Sequence, residues 1–198
     1  MAKIKSICVY CGSSSGRQTI YLETARQLAD ALVAREIQLI YGGASVGIMG
    51  AVADQVLTQG GRVIGVIPEA LAHQELMHSG LNELHITHSM HERKLKMAEL
   101  ADGFIALPGG IGTLEELFEI WTWSQLGFHQ KPIALLNIAG YYDGLLNFID
   151  HIENEQFLKP QHRKLLNVNS DVDALLDCMS DQYQRVVGQG PLSQPDLF

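Results

Sequence analysis

The chain has 198 residues, 46% hydrophobic and 18% charged, which is enough for one substantial core and too little for two domains. A net charge of -8 excludes a general nucleic-acid surface, which needs clustered Lys and Arg to displace counterions. No run approaches the roughly 18 apolar residues that span a bilayer, the start Met1-Ala2-Lys3 carries no signal-peptide pattern, and the three cysteines show no disulfide spacing. The expectation is a cytoplasmic domain with neither a membrane nor a nucleic-acid polymer as partner.

The first apolar run, residues 4 to 10, predicts a strand, followed by the permissive loop Cys11-Gly12-Ser13-Ser14-Ser15-Gly16. Cys8 and Cys11 form a C-x-x-C, but Cys8 falls inside the strand pattern, away from the helix start that lowers a redox thiol's pKa, so no redox role is assigned. A second strand at 37 to 41 leads into Gly42-Gly43-Ala44-Ser45-Val46-Gly47-Ile48-Met49-Gly50. Further strand-length runs fall at 63 to 67 and 83 to 87, with helical patterns between most of them.

Ser89 and Glu92 then stand at capping-box spacing, opening a helix that carries Arg93 and Lys94 in or just after its first turn. The macrodipole disfavours cations there by a few tenths to about 1 kcal/mol, a cost that binding an anion would offset; ordinary solvated basic residues are the plainer reading. His85, His88 and His91 recur every three residues, but the first sits in a strand pattern and the last in the helix, so no metal site is expected.

The run at 103 to 107 ends in Pro108-Gly109-Gly110-Ile111-Gly112-Thr113-Leu114-Glu115-Glu116. Leu114, Leu117, Phe118 and Trp121 give the i, i+3, i+4, i+7 spacing of one buried helical face. Glycines between a strand and a helix permit positive φ and close backbone approach, and the unpaired amides of the first helical turn suit an anion, above all a phosphoester. The same residues also fit a capping box with Thr113 as N-cap and Glu116 as its partner, in which Glu116 only ties off the helix. The aromatic-rich stretch from Leu114 to Phe128 is a candidate subunit interface, with Trp123 read as packing or as part of that contact.

A strand at 133 to 137 and a helix at 171 to 179 follow, with a tail beyond 182 expected to be flexible. The strand runs are rich in Ile, Val and Leu without polar alternation, as for strands buried on both faces. The expected fold is therefore α/β: an open parallel sheet with helices on both faces, one domain over 1 to 182. Three permissive loops then share the carboxyl edge, where such sheets bind ligands. None matches the G-x-G-x-x-G fingerprint or the G-x-x-x-x-G-K-[ST] phosphate loop.

Taken together, Met90-His91-Glu92-Arg93-Lys94 and Pro108-Gly109-Gly110-Ile111-Gly112-Thr113-Leu114-Glu115-Glu116 resemble the LONELY GUY family, the cytokinin riboside 5'-monophosphate phosphoribohydrolases, long mislabelled as lysine decarboxylases. The resemblance spans about residues 4 to 180, and both hallmark motifs are complete. It implies that Arg93 and Glu116 are the catalytic pair. It also implies that Glu75, Lys94, Thr122 and the stretch Gly109, Gly110, Ile111, Gly112, Thr113, Leu114, Glu115 contact substrate. The early loops resemble the family's too, adding Gly12, Ser13 and Gly43. The implied reaction is hydrolysis of the N-glycosidic bond of a purine nucleoside 5'-monophosphate, a cytokinin riboside monophosphate or AMP, to free base and ribose 5-phosphate. It requires no cofactor, and the resemblance also implies a Rossmann-like fold and at least a homodimer.

That chemistry suits the residues. Cleaving a ribosyl C–N bond builds oxocarbenium-like charge on the sugar, which a carboxylate such as Glu116 stabilises, or offsets by activating water. A pyridoxal-dependent decarboxylase would need a Schiff-base lysine, which no motif marks. The alternative from another class is a non-catalytic carrier of a nucleotide or phosphorylated cofactor, for which an Arg93–Glu116 pair would have no purpose.

Overall fold

The computed structural model describes residues 3–72 and 77–188. Its elements are β1 (Ser6–Tyr10), α1 (Ile20–Ala34), β2 (Gln38–Tyr41), α2 (Gly47–Thr58), β3 (Val63–Pro68), α3 (Glu69–Leu71), β4 (Glu83–Thr87) and α4 (Met90–Leu100). They continue with β5 (Gly103–Ala106), α5 (Ile111–Gln125), β6 (Ile133–Leu136), α6 (Asp143–Asn154), α7 (Pro160–Arg163), β7 (Leu166–Asn169) and α8 (Val172–Gly188).

Among the described residues seven strands form one parallel sheet in the order β4-β3-β2-β1-β5-β6-β7. Winding runs outward from β1 to β4, then returns through α4 to place β5 on the other side of β1. Right-handed crossovers in opposite directions put the two sets of helices on opposite faces. Strand residues alternate accordingly. Ile7 and Val9 join a core with Leu28 and Leu32 of α1, Val52 and Val56 of α2, and Leu175 and Met179 of α8. Cys8 and Tyr10 join a second core with Met97 of α4, Leu117, Ile120 and Trp121 of α5, and Ile149 of α6. Each face of the sheet is thus dry, which accounts for the uninterrupted apolar strand runs.

The fold is the expected one, with three local differences. β7 was not among the expected strands: Leu166-Asn167-Val168-Asn169 is half polar because it lies on the sheet edge, where only Leu166 is buried. The last helix extends to Gly188, past the boundary at 182; residues 189–198 lie outside the described part. The buried face of α5 is Thr113, Leu117, Ile120 and Trp121, whereas Phe118 is exposed, so the apolar stripe is turned by about one residue from the one expected. Among the described residues no helix is long and apolar enough to cross a membrane.

Candidate active site

The loops after β1, β2 and β5 meet at the carboxyl edge because those strands are neighbours. Their backbones interlock. The Gly12 N–H donates to Pro108 O at 3.1 Å, and Gly12 O accepts from the Ile48 and Met49 amides at 3.1 and 3.3 Å. The first turn of α2 is therefore already satisfied by protein. The start of α5 differs: its N-cap is Gly110, no side chain caps it, and Ile111 is 83% exposed. Its amides are the ones positioned to take an anion.

The glycines of this loop serve space rather than positive φ, since Gly109, Gly110 and Gly112 are absent from the left-handed residues. A Cβ on Gly109 would collide with Thr113 Oγ1 and sit 2.9 Å from the Gly12 nitrogen, while one on Gly110 or Gly112 meets nothing within 4 Å. Glycine is required at the first position for loop-to-loop contact, and at the other two the approach stays open toward solvent. Positive φ is needed instead in the second loop, at Gly43 and Gly47. Ser13 is exposed, with its backbone against Gly47. Gly43 O accepts from His78 N at 2.9 Å, and Ala44 bridges Met77. Glu75 lies outside the described residues.

Arg93 and Glu116, 23 positions apart in sequence, come together because α4 and α5 begin side by side at this edge. Ser89 caps α4 by accepting from Glu92 N at 3.1 Å, and Glu92 Oε2 accepts from His88 N at 2.8 Å. One turn in, Arg93 Nε donates to Val66 O at 3.1 Å, and Nη1 lies 3.1 Å from Glu116 Oε1. Both side chains are nearly enclosed, at 9% and 11% exposure. A Cβ on Gly42 would overlap Arg93 Nη2, so that glycine makes room for the guanidinium; the sequence reading had no signal for this role.

The capping-box alternative for Glu116 does not hold. Helix α5 starts at Ile111, which makes Thr113 its third residue and not its cap, and Glu116 faces Arg93. Burial pushes the Glu116 carboxyl up from its ordinary value, Arg93 pulls it back, and Glu115 raises it again. An enclosed carboxylate beside an open anion cradle is equipped to face developing positive charge or to take a proton from water.

Lys94 Nζ is held by Glu115 at 2.6 Å and Glu119 at 2.9 Å, fastening α4 to α5. Burial alone would lower its pKa, but the bonds to both carboxylates carry it upward. It therefore stays an ammonium, unlike a Schiff-base lysine, which needs a depressed pKa. Lys131, whose pKa burial does lower, sits between α5 and β6 at the opposite edge and donates to Ala98 O at 2.8 Å. Thr122 stands eleven residues along α5 from Ile111, roughly 16 Å by helical rise, and its hydroxyl donates to Phe118 O at 2.7 Å. Within one chain it does not join the constellation. Leu114 is partly buried against the second core, so only its backbone faces the loop.

Cys8 and Cys11 are buried free thiols, pushed up by burial and by nearby Glu116. Among the described residues no group of three or more His, Cys, Asp or Glu is arranged to hold a metal.

Residues 49–179 match a family model described as "Possible lysine decarboxylase". A cytokinin riboside 5'-monophosphate phosphoribohydrolase of Arabidopsis thaliana is 51% identical over 165 residues, covering 83% of this chain and 76% of that relative. The chain belongs to the LONELY GUY family. A bacterial relative from Rhodococcoides fascians, with the same phosphoribohydrolase name, is 49% identical over 173 residues, 87% of each chain. Among solved structures the molybdenum cofactor carrier protein of Chlamydomonas reinhardtii superposes with a TM-score of 0.68 at 19% identity, covering 91% of this chain and 98% of its own. At that identity the likeness concerns the fold alone. The decarboxylase description of the family model finds no support in Lys94 or Lys131 of this LONELY GUY chain, since Lys94 is held protonated and Lys131 lies at the opposite edge from the cradle.

Proposed function

We propose that the protein hydrolyses the N-glycosidic bond of purine nucleoside 5'-monophosphates, releasing the free base and ribose 5-phosphate. The observation that carries this reading is the buried Arg93–Glu116 pair beside the uncapped start of α5. The 5'-phosphate rests on the amides from Gly110 to Thr113, so binding energy remote from the reacting bond fixes the anomeric carbon near Glu116. As the C–N bond breaks, its electron pair leaves with the base, which takes up a proton to become the neutral free base, balanced by the water proton that Glu116 gains. Glu116 stabilises the positive charge that develops on the ribose and accepts a proton from the water that adds to the anomeric carbon. Arg93 orients Glu116 and keeps it ionised despite burial. Lys94 and Glu115 brace the same helix start, and Gly12, Ser13 and Gly43 complete the wall on the α2 side.

The relatives' names include cytokinin riboside 5'-monophosphates. A cytokinin precursor differs from AMP by an apolar group on the adenine amine. A hydrophobic contact of that size discriminates by about 1 to 3 kcal/mol, so we infer that both nucleotides are accepted. We also infer a homodimer or larger homo-oligomer, on the strength of Leu95, Phe118, Leu126 and Phe128, apolar side chains left exposed on and beside α4 and α5. Thr122 belongs to the same helix, and its match to a substrate contact is read across such an interface.

Glu116→Gln tests the reading. It should lower kcat by about a hundred- to a thousandfold, the range seen on removing one electrostatic partner of a transition state, while AMP still binds. Equal turnover in variant and parent would remove Glu116 from the reaction. Binding without turnover in the parent itself would favour the carrier alternative.

A further inference from the structure

The segment after β6 reaches back to the phosphate loop. Ala139 (φ 51°, ψ 30°) and Gly140 (φ 70°) both take left-handed conformations, a turn that an alanine adopts only at some cost. The turn is braced: Tyr142 N donates to Asn137 Oδ1 at 2.8 Å, and Asn137 Nδ2 donates to Asp143 Oδ1 at 2.7 Å. It delivers two adjacent tyrosines. Tyr141 packs edge-on against Tyr21 of α1, at 5.5 Å between ring centroids, and its hydroxyl donates to Gly109 O at 2.6 Å. The Tyr142 hydroxyl donates to Leu107 O at 2.6 Å.

With Pro108 O taken by Gly12 N, three successive carbonyls of the loop, at 107, 108 and 109, are each held by a donor from outside it. In a trans peptide the carbonyl oxygen and the following N–H point in opposite directions. Fixing the Gly109 carbonyl on the α1 side therefore sends the Gly110 N–H to the other side, where α5 begins without a cap. The Leu107 carbonyl is different, because the next residue is Pro108, which has no N–H to aim.

We infer that Tyr141 is a positioning residue for the reaction proposed above: by holding the Gly109 carbonyl it aims the Gly110 N–H at the substrate's 5'-phosphate. Tyr142, which makes an equally short bond to the carbonyl that precedes a proline, supports the loop without aiming a donor. The two neighbouring tyrosines thus separate an effect on phosphate from an effect on stability. The inference rests on the phosphoribohydrolase reading for its substrate, but not on turnover for its test.

Ribose 5-phosphate and ribose are titrated calorimetrically into the parent, Tyr141→Phe and Tyr142→Phe, with thermal midpoints recorded for each. Tyr141→Phe should weaken ribose 5-phosphate binding about tenfold and raise KM for AMP by a similar factor, with a smaller change in kcat. Tyr142→Phe should lower the midpoint at least as much, since its ring is buried, yet bind ribose 5-phosphate within about twofold of the parent. The inference is overturned if Tyr141→Phe binds like the parent, if both variants weaken binding in step with their midpoints, or if the parent does not bind ribose 5-phosphate. Tyr141-dependent binding in a parent that hydrolyses no nucleotide would keep the aiming of the Gly110 N–H at a sugar phosphate and sink the enzymatic reading; intact hydrolysis with Tyr141-independent binding would do the reverse.

Discussion

Glu116 and Arg93 are two charges taken almost out of water, an arrangement that stabilises a fold only weakly and costs several kcal/mol when one partner is removed. Their retention in this geometry makes sense as chemistry. Because burial raises the Glu116 pKa, the carboxylate form is lost at a higher pH than for an exposed glutamate, near 4.3. The acid limb of kcat/KM should accordingly lie above that value. Arg93 acts in the opposite sense, so Arg93→Gln should move the limb to still higher pH as well as lowering the rate. A pH profile of both proteins checks this; a limb at the same pH in each would mean that Arg93 does not hold the ionisation of Glu116. The family resemblance named the two as a pair, but neither their direct contact nor its burial was legible in the sequence. The two motifs named the residues, but their contact depends on α4 and α5 starting side by side, which follows from the return of the chain to β1. The engagement of Lys94 by Glu115 and Glu119 was hidden for the same reason, and so was the need for glycine at position 42.

At the scale of elements, the strand-loop-helix unit from β5 to α5 does most of the positioning. Apolar strands and glycine-rich joints were readable because both signals are local: hydrophobic runs and backbone permissiveness. The start of α5 was less readable, since Thr113 and Glu116 imitate a cap while the helix begins three residues before the start at Leu114 that such a cap implies. β7 escaped because an edge strand can be half polar and still pair. The glycines of the loop divide by what their Cβ would meet. Gly109→Ala should force the loop away from Gly12 and Thr113, destabilising the fold by about 1 to 3 kcal/mol and weakening ribose 5-phosphate binding. Gly110→Ala, with open space around it and an extended backbone, should lie within about 0.5 kcal/mol of the parent. Chemical denaturation of the two variants tests the contrast, and equal losses would mean that the space between the loops does not set the requirement.

The proposed site lies where the winding direction of the sheet reverses, between β1 and β5, so that three loops and two helix starts converge without any one being long. The two dry cores hold that edge rigid from both faces, which suits a reaction that depends on holding a ribose in place rather than on a cofactor's chemistry. The net charge of -8 makes the interior cations matter more: Arg93 and Lys94 lie where a phosphoester would otherwise meet only Glu115, Glu116 and Glu119. Phosphoribohydrolase activity is tested by following base release from AMP and from isopentenyladenosine 5'-monophosphate by chromatography, with the unphosphorylated nucleosides in parallel. Free base should be released from both monophosphates, with little or none from the nucleosides, and release should be lost in Glu116→Gln. Release from neither monophosphate by the folded parent, or equal release from the nucleosides, would contradict that activity.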